Sequence, residues 1–319
     1  MRKMISVNQV TMISLEELMP EKHNYRKFKE VFNFRKIDYR LKGMESDKGS
    51  NGYGMDRLFK CLLYQFMEDL SDRQLEEALK TNCAAKWFCE FGLAEKTPDH
   101  SLFGKVRKRI GTKKLSKLFE IMKKQLREQG YMSEVFTFVD SAHLISKAQL
   151  WEERDKAIKK KYNKLNNEII PKIARDKQAR IGCKGKNKYW FGYKTHRSVD
   201  MQSGLINKIA VTPANVSDAT ALKHICPSQG AVFADKGYCT KPAQRAAAKH
   251  DVHLAVIKLN NMKDKNKDLD KWRAKIRSPF ERVFSKQNKR VRYLGINKNQ
   301  FAEFMNAFSF NLKRLAVIA

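Results

Sequence analysis

Acidic residues are scarce in this chain: 34 Asp and Glu face 65 Lys and Arg among 319 residues, a formal net charge of +31. The excess runs the length of the sequence and not in one tail, and such a field favours a polyanionic partner, nucleic acid first. Long apolar runs are lacking too. No stretch of about eighteen residues could span a bilayer, and the N-terminus carries no signal-peptide pattern, so no membrane partner is expected. The six cysteines, Cys61, Cys83, Cys89, Cys183, Cys226 and Cys239, show no C-x-x-C spacing and no neighbouring histidine pair. That excludes the usual zinc frameworks and fits reduced thiols of an intracellular protein.

What the chain does have is two apolar runs that each deliver an acid. Val135-Phe-Thr-Phe-Val-Asp140 is rich in β-branched and aromatic residues and reads as a buried strand ending in a carboxylate. Ala231-Val-Phe-Ala-Asp235 repeats the arrangement and runs on into Lys236-Gly237-Tyr238. A carboxylate at the end of an apolar strand loses hydration unless a positive charge lies against it. Asp140 and Asp235 are therefore read as ligands of a divalent cation.

Around them the chain divides into three. Residues 1–50 hold few periodic apolar positions and read as a loosely packed arm, with Leu15, Leu18, Tyr25, Phe28, Val31 and Phe32 able to form one short amphipathic helix. Residues 51–130 read as an all-helical domain. Ser71 with Gln74 forms a capping box for a helix that follows closely on the one before it, a helix-turn-helix-like pair that plain packing also produces. A later helix crowds Lys105, Arg107, Lys108 and Arg109 together, either as a solvated face or as a face for DNA phosphates.

Residues 131–319 read as an α/β domain. A basic insertion at 146–188, with 14 Lys or Arg against 5 Asp or Glu, is expected to be helical in its first half and mobile in its second. Beyond it, Tyr189 to Asp200 and Leu205 to Thr212 alternate as a hairpin, followed by a helix, the Asp235 strand, a helix and a strand from Val252 to Lys258. A hairpin followed by β-α-β crossovers predicts a mixed sheet with helices on its faces, and ligands gathered at the carboxyl ends of the strands. In the hairpin, Lys194 and His196 are candidate phosphate contacts, as are Lys236 beside the second Asp and, further along, Arg277 and Lys289.

A third acid comes from the last basic helical stretch, where Glu281 stands among Arg273, Lys275, Arg277, Arg282 and Lys286. Arg277 precedes it by one turn and shares its face, while Phe280, Val283 and Phe284 pin the neighbouring face to a core. Asp140, Asp235 and Glu281 together could hold two divalent ions. Oxygen-only ligation favours Mg2+ or Mn2+, and such a site suits in-line phosphoryl transfer.

Several motifs in order carry a resemblance. These are Leu70-Ser-Asp-Arg-Gln-Leu-Glu-Glu77, Trp87-Phe-Cys, Thr97-Pro-Asp-His-Ser101, Val139-Asp-Ser, Phe191-Gly-Tyr-Lys-Thr-His196, Val211-Thr-Pro-Ala-Asn-Val-Ser-Asp218, Ala234-Asp-Lys-Gly-Tyr238 and Arg292-Tyr-Leu-Gly-Ile-Asn-Lys-Asn299. Through them the chain resembles the transposases of the IS5 group within the IS4-like superfamily, which are DDE recombinases. The resemblance implies an RNase H-like catalytic domain behind a helical DNA-binding domain, and a catalytic triad of Asp140, Asp235 and Glu281 spaced 95 and 46 residues apart. In the family signature around the Glu, Arg277 and Glu281 fit, Ala274 and Asn288 replace the Tyr and the Lys, and Lys289 stands one step beyond.

The implied partners are double-stranded DNA, as element ends and target, and further copies of the chain in a dimer or larger synaptic complex. The implied place is the bacterial cytoplasm, with the nucleoid. Two readings share these residues: a nuclease of the same fold that never joins ends, and a catalytically silent DNA-binding derivative. An RNA-binding protein of ribosomal type would match the charge and leave the three placed acids without a purpose.

Overall fold

In the computed structural model the described residues are 12–44, 52–185, 187–262, 265–285 and 289–319, with the side chains of 281–285 outside them. They fall into two compact units. The first runs to Ile110 and takes in Leu315–Val317 and Ala319, and the second comprises Gly111–Arg314 and Ile318.

Among its described residues the first unit has helices and no strand. Helices α1 (Leu15–Leu18), α2 (Asn24–Val31) and α3 (Arg35–Lys42) precede α4 (Met55–Met67), α5 (Asp72–Thr81) and α6 (Cys83–Cys89). Eleven of the thirteen residues of α4 are buried, so this helix is the core of the unit rather than a one-sided surface element. Lys60 in its middle keeps its charge by pairing with Asp38 at 3.1 Å and Glu90 at 2.8 Å.

Residues 12–44 correct the expectation of a loose arm. They form three helices, since Pro20 lies between α1 and α2, and Phe28, Phe32, Ile37 and Leu41 are buried. The Ser71–Gln74 capping box is present, with Ser71 N donating to Gln74 Oε1 at 2.8 Å and Gln74 N to Ser71 Oγ at 3.3 Å. Helix α7 (His100–Glu128) breaks at Gly111, whose φ of 61° no β-carbon residue adopts cheaply, and there the chain passes into the second unit.

The second unit is built on a mixed sheet. It contains β1 (Phe136–Ile145), α8 (Leu150–Lys159), α9 (Ile170–Ile173), β2 (Arg180–Lys184), β3 (Lys188–Asp200), β4 (Ile206–Pro213), α10 (Asp218–Ile225), β5 (Ala231–Ala234), α11 (Lys241–Ala248), β6 (His253–Val256), α12 (Lys267–Ser285) and α13 (Ile296–Ile318), with a single 3-10 turn at Lys236–Tyr238. The strands run β2-β3-β1-β5-β6, and β4 also pairs with β3. β1, β5 and β6 are parallel to one another and β3 is antiparallel to β1.

Two departures from the sequence reading matter for the site. β1 does not end at Asp140 but continues five residues to Ile145, because β3 pairs with it from Thr137 opposite Asp200 to Ile145 opposite Gly192. Only Phe136–Phe138 also pair with β5, so Asp140 stands just beyond the parallel pairing. The second half of the basic insertion, expected to be mobile, carries β2, which pairs with β3. Ile170, Ala174 and Ala179 pack there with Phe191 and Tyr193.

α13 covers the outer edge of β4 with amide side chains. Asn311 accepts from Ile206 N at 2.8 Å and donates to Ile206 O at 2.9 Å, and Gln300 accepts from Val211 N at 2.7 Å. The edge groups that would otherwise template another strand are thereby occupied. Below them Glu303 accepts from Thr195 and from Arg197, both at 2.8 Å. Asn311→Ala strands a buried N–H and carbonyl of β4, and a loss of about 2 kcal/mol in urea unfolding is expected. An unchanged midpoint would contradict this account of the edge.

Candidate active site

The two acids arrive by different routes. Asp140 sits on β1 between buried Val139 and half-buried Ser141, whose backbone N–H donates to its Oδ1 at 2.7 Å. Asp235 follows β5 and caps the 3-10 turn, accepting from Lys236 N at 2.7 Å, and its side chain is 52% exposed. Because β1 and β5 are adjacent and parallel, with Phe138 opposite Phe233, Asp140 in the strand and Asp235 beyond it stand level at the carboxyl end of the parallel pairing.

Arg277 of α12 completes the group. It is buried, its guanidinium carbon lies 5.6 Å from the centre of the Phe138 ring, and its Nη1 reaches Asp235 Oδ1 at 3.5 Å. Phe280 on the same helix packs on Phe138 with ring centres 6.3 Å apart, which fixes α12 against β1. Burial pushes the Asp140 carboxyl up to about 6, against the Ser141 hydrogen bond and the Arg277 charge, with Asp218 and Asp235 adding to the rise. An acid held up by burial and by neighbouring acids is one that a cation stabilises.

The expected third acid, Glu281, lies one turn beyond Arg277 in the backbone of α12, and its side chain falls outside the described residues. Among the described residues no group of three metal-ligating side chains is found. The described donor set is two aspartates, oxygen only, in acid surroundings, and this fits a hard divalent cation better than zinc.

The basic candidates separate. Lys236 is exposed beside Asp235. Lys289 is exposed, and its carbonyl accepts from Ile145 N at 2.6 Å, which holds it at the end of β1. Lys194 is engaged with Asp218 and with Val216 O, each at 3.0 Å. Lys105, Lys108 and Arg109 are exposed on α7 in the first unit.

Arg107, His196 and Arg277 are not placed for the DNA contact expected of them, Arg277 because it is buried with its guanidinium turned to Asp235. Arg107 turns inward to Asp72, with Nη1 to Oδ1 at 2.8 Å, and to Gln65 at 3.3 Å, so it ties α7 to α4 and α5. His196 is 0% exposed, with Nε2 2.8 Å from Thr212 Oγ1, and presents no surface to a phosphate. A period-2 pattern marks which residues share a face of a strand, not whether a helix covers that face, so the sequence could not tell the two roles of His196 apart. One further residue bears on the site: Asp218, the first residue of α10, whose charge acts on Asp140, was visible only as the end of the Val-Ser-Asp motif. Tyr238 belongs to the apolar core although it follows the exposed Lys236-Gly237.

With this geometry in place, the comparisons with known proteins are specific. Residues 13–109 match the Transposase domain (DUF772), and residues 146–318, more than half of the chain, match the Transposase DDE domain. The chain belongs to the transposase DDE domain family. Asp140 lies before the DDE-domain match, and Asp235, Arg277 and Glu281 lie within it.

Among solved structures, the chain is similar to a piggyBac transposase in a synaptic complex with hairpin DNA. The identity is 10%, the coverage is 77% of this chain and 52% of that one, and the TM-score is 0.31. It is also similar to a Mos1 transposase in a paired-end complex with the left transposon end, at 6% identity, 86% and 82% coverage and a TM-score of 0.19. The chain thus spans about half the length of the piggyBac chain. The reading of the site rests on the family membership and on the residues themselves.

Burial holds the His196 imidazole down at about 4, against the pull of Asp218, so the folded protein excludes a proton that the unfolded chain takes up. The contribution of His196 to stability is complete above about pH 6.5 and is lost as the pH drops towards 4, by roughly 3 kcal/mol at most. Urea midpoints of the native chain and of His196→Gln should therefore converge on acidification. A constant gap between them across that window would show that the imidazole is not held neutral.

Proposed function

We propose that the chain is a DNA transposase of an insertion sequence, of the IS5 type, with an RNase H-like catalytic domain. It binds the terminal inverted repeats of its element, hydrolyses a phosphodiester to free a 3′-hydroxyl and directs that hydroxyl at target DNA. The observation that carries this is the convergence of Asp140 and Asp235 from adjacent parallel strands with Arg277 of α12 against both. The strand order β4-β3-β1-β5-β6, in which β3 alone runs opposite to the others, supports the RNase H-like assignment.

Two Mg2+ or Mn2+ ions held by Asp140, Asp235 and Glu281 would lower the pKa of the attacking hydroxyl and stabilise charge on the leaving oxygen. The chain's own residues do the positioning. Ser141 N–H fixes one oxygen of Asp140 and Lys236 N–H fixes one oxygen of Asp235, which leaves the second oxygen of each without a backbone bond among the described residues. Exposed Lys236 and Lys289 offer positive charge to the DNA backbone on either side. Two ends must be handled together, so the working form is a dimer or a larger synaptic assembly, in the cytoplasm with the nucleoid.

Cleavage of labelled element-end DNA in Mg2+ tests this. Asp140→Asn and Asp235→Asn should each lose at least about a thousandfold in rate with DNA binding retained. Variants that cleave like the native chain would refute the reading. Cleavage by the native chain with no joining of pre-cut ends would identify a nuclease instead, and no cleavage by the native chain would identify a DNA-binding derivative.

End recognition is assigned to the first unit. Alanine at Lys105, Lys108 and Arg109 should weaken end binding and flatten its salt dependence by about one charge per phosphate contact removed. Arg107→Ala should instead lower the stability of the unit, since it breaks the pair with Asp72. Unchanged affinity and salt slope in the triple variant would place end recognition elsewhere.

A further inference from the structure

β3 outruns the rest of the sheet. β1 pairs with it as far as Gly192 and β4 as far as Tyr193, so among the described residues Lys188–Trp190 pair with β2 alone. The result is a two-stranded ribbon at the end of the sheet towards which β1 continues past Asp140.

The two faces here differ. Phe191 and Tyr193 share one face with Leu144 and are buried there with Ile170 and Ala179. Lys188, Trp190 and Lys194 of β3, Lys184 and Gly182 of β2 and His143 of β1 have the other parity and make the opposite face. α10 covers that face over His196 and Ala210, but it begins only at Asp218, which Lys194 Nζ reaches at 3.0 Å. Beyond Lys194 the rings of Trp190 and His143 stay half-buried, and Lys184 and Lys188 are exposed.

Trp190 is pinned in this open face. Its Nε1 donates to Tyr193 O at 3.1 Å, the His143 ring centre lies 5.6 Å from its own, and Lys194 Nζ stands 5.9 Å from its ring centre. A β-carbon on Gly182 would come within 2.8 Å of the Trp190 Cζ2, so the glycine makes room for the indole. Two residues along, Lys184 and Lys188 are directly opposite each other on the ribbon. Like charges so placed repel, and a phosphate set between them turns the repulsion into two charge-assisted contacts.

We propose that this face binds single-stranded DNA, with one unpaired base stacked on Trp190 and a neighbouring phosphate held between Lys184 and Lys188. The inference deepens the transposase reading and rests on it. A duplex keeps its bases stacked on one another, whereas a single strand offers a π-face to the indole whatever its sequence. Asp140 has the parity opposite to His143 and so belongs to the other face. The strand on Trp190 is therefore not the one at the aspartates: the platform receives the strand that parts from the cut one when a DNA end opens.

The probes are a dye-labelled dT strand of about 15 nucleotides and a duplex of the same length, each titrated into the full chain without metal ion and followed by fluorescence anisotropy. Trp190→Leu should bind the dT strand about tenfold more weakly, with duplex affinity and urea midpoint unchanged, and Trp190→Phe should keep most of the single-strand affinity. Lys184→Ala combined with Lys188→Ala should weaken dT binding and flatten its salt dependence. A 2-aminopurine placed within the dT strand should lose fluorescence on binding the native chain and keep it with Trp190→Leu.

Unchanged dT affinity in Trp190→Leu would overturn the proposal. Equal losses for dT and duplex together with a lowered urea midpoint would overturn it as well, by showing that the indole only supports the fold. A native chain that binds the duplex and not the dT strand ends this proposal and leaves the transposase reading standing; one that binds neither takes that reading with it.

Discussion

The second unit turns on the burial of one carboxylate. Asp140 sits on a strand whose neighbours on both sides are packed, and ionising it there costs free energy that water would supply at the surface. Arg277 supplies part of the compensation from α12, and the Ser141 amide supplies another part. What remains is an acid that gains from a further positive charge, next to a second acid half open to solvent. The geometry of the sheet creates that condition. β5 stops at Ala234, so Asp235 leaves the sheet beside Asp140 while β1 is still carried onward by its pairing with β3.

Such a site works only if β1 and β3 stay in register, and α13 serves that end. Glu303 takes hydrogen bonds from Thr195 and Arg197 on β3, the residues on either side of His196, while Asn311 and Gln300 occupy the backbone of β4. Glu303 and Arg197 are both nearly fully buried, a pair that is costly to break from one side and that specifies how the helix meets the sheet. Gly192 allows the closest part of the β1–β3 pairing. Its φ is 155°, and a β-carbon there would stand 2.1 Å from Leu144 O.

Much of this was legible in the sequence because the strands next to the site are dense in β-branched and aromatic residues and are bounded by turn formers. The hairpin, the Asp235 strand and the last strand all lie close to where alternation places them. β2 was not legible, since Arg180-Ile-Gly-Cys-Lys184 holds few apolar side chains and is a strand by virtue of pairing with β3. The same is true of residues 12–44, whose apolar positions are spread over three short helices and show no period across the whole. Charge misled at Arg107, because a local cluster of basic residues says nothing about an acid 35 positions away, at Asp72. The two aspartates were legible as a pair, whereas Asp218 and the buried face of Tyr238 needed the helices in place.

The central claim is that Asp140 and Asp235 jointly hold a divalent cation. Anomalous diffraction from crystals grown with Mn2+ tests it most directly, because the ion announces its own position. The account predicts a peak shared by the two carboxylates, beside Arg277, with the backbone of α12 near enough for Glu281 to complete the ligand set. A peak that touches neither aspartate, or none on either at saturating Mn2+, would contradict it.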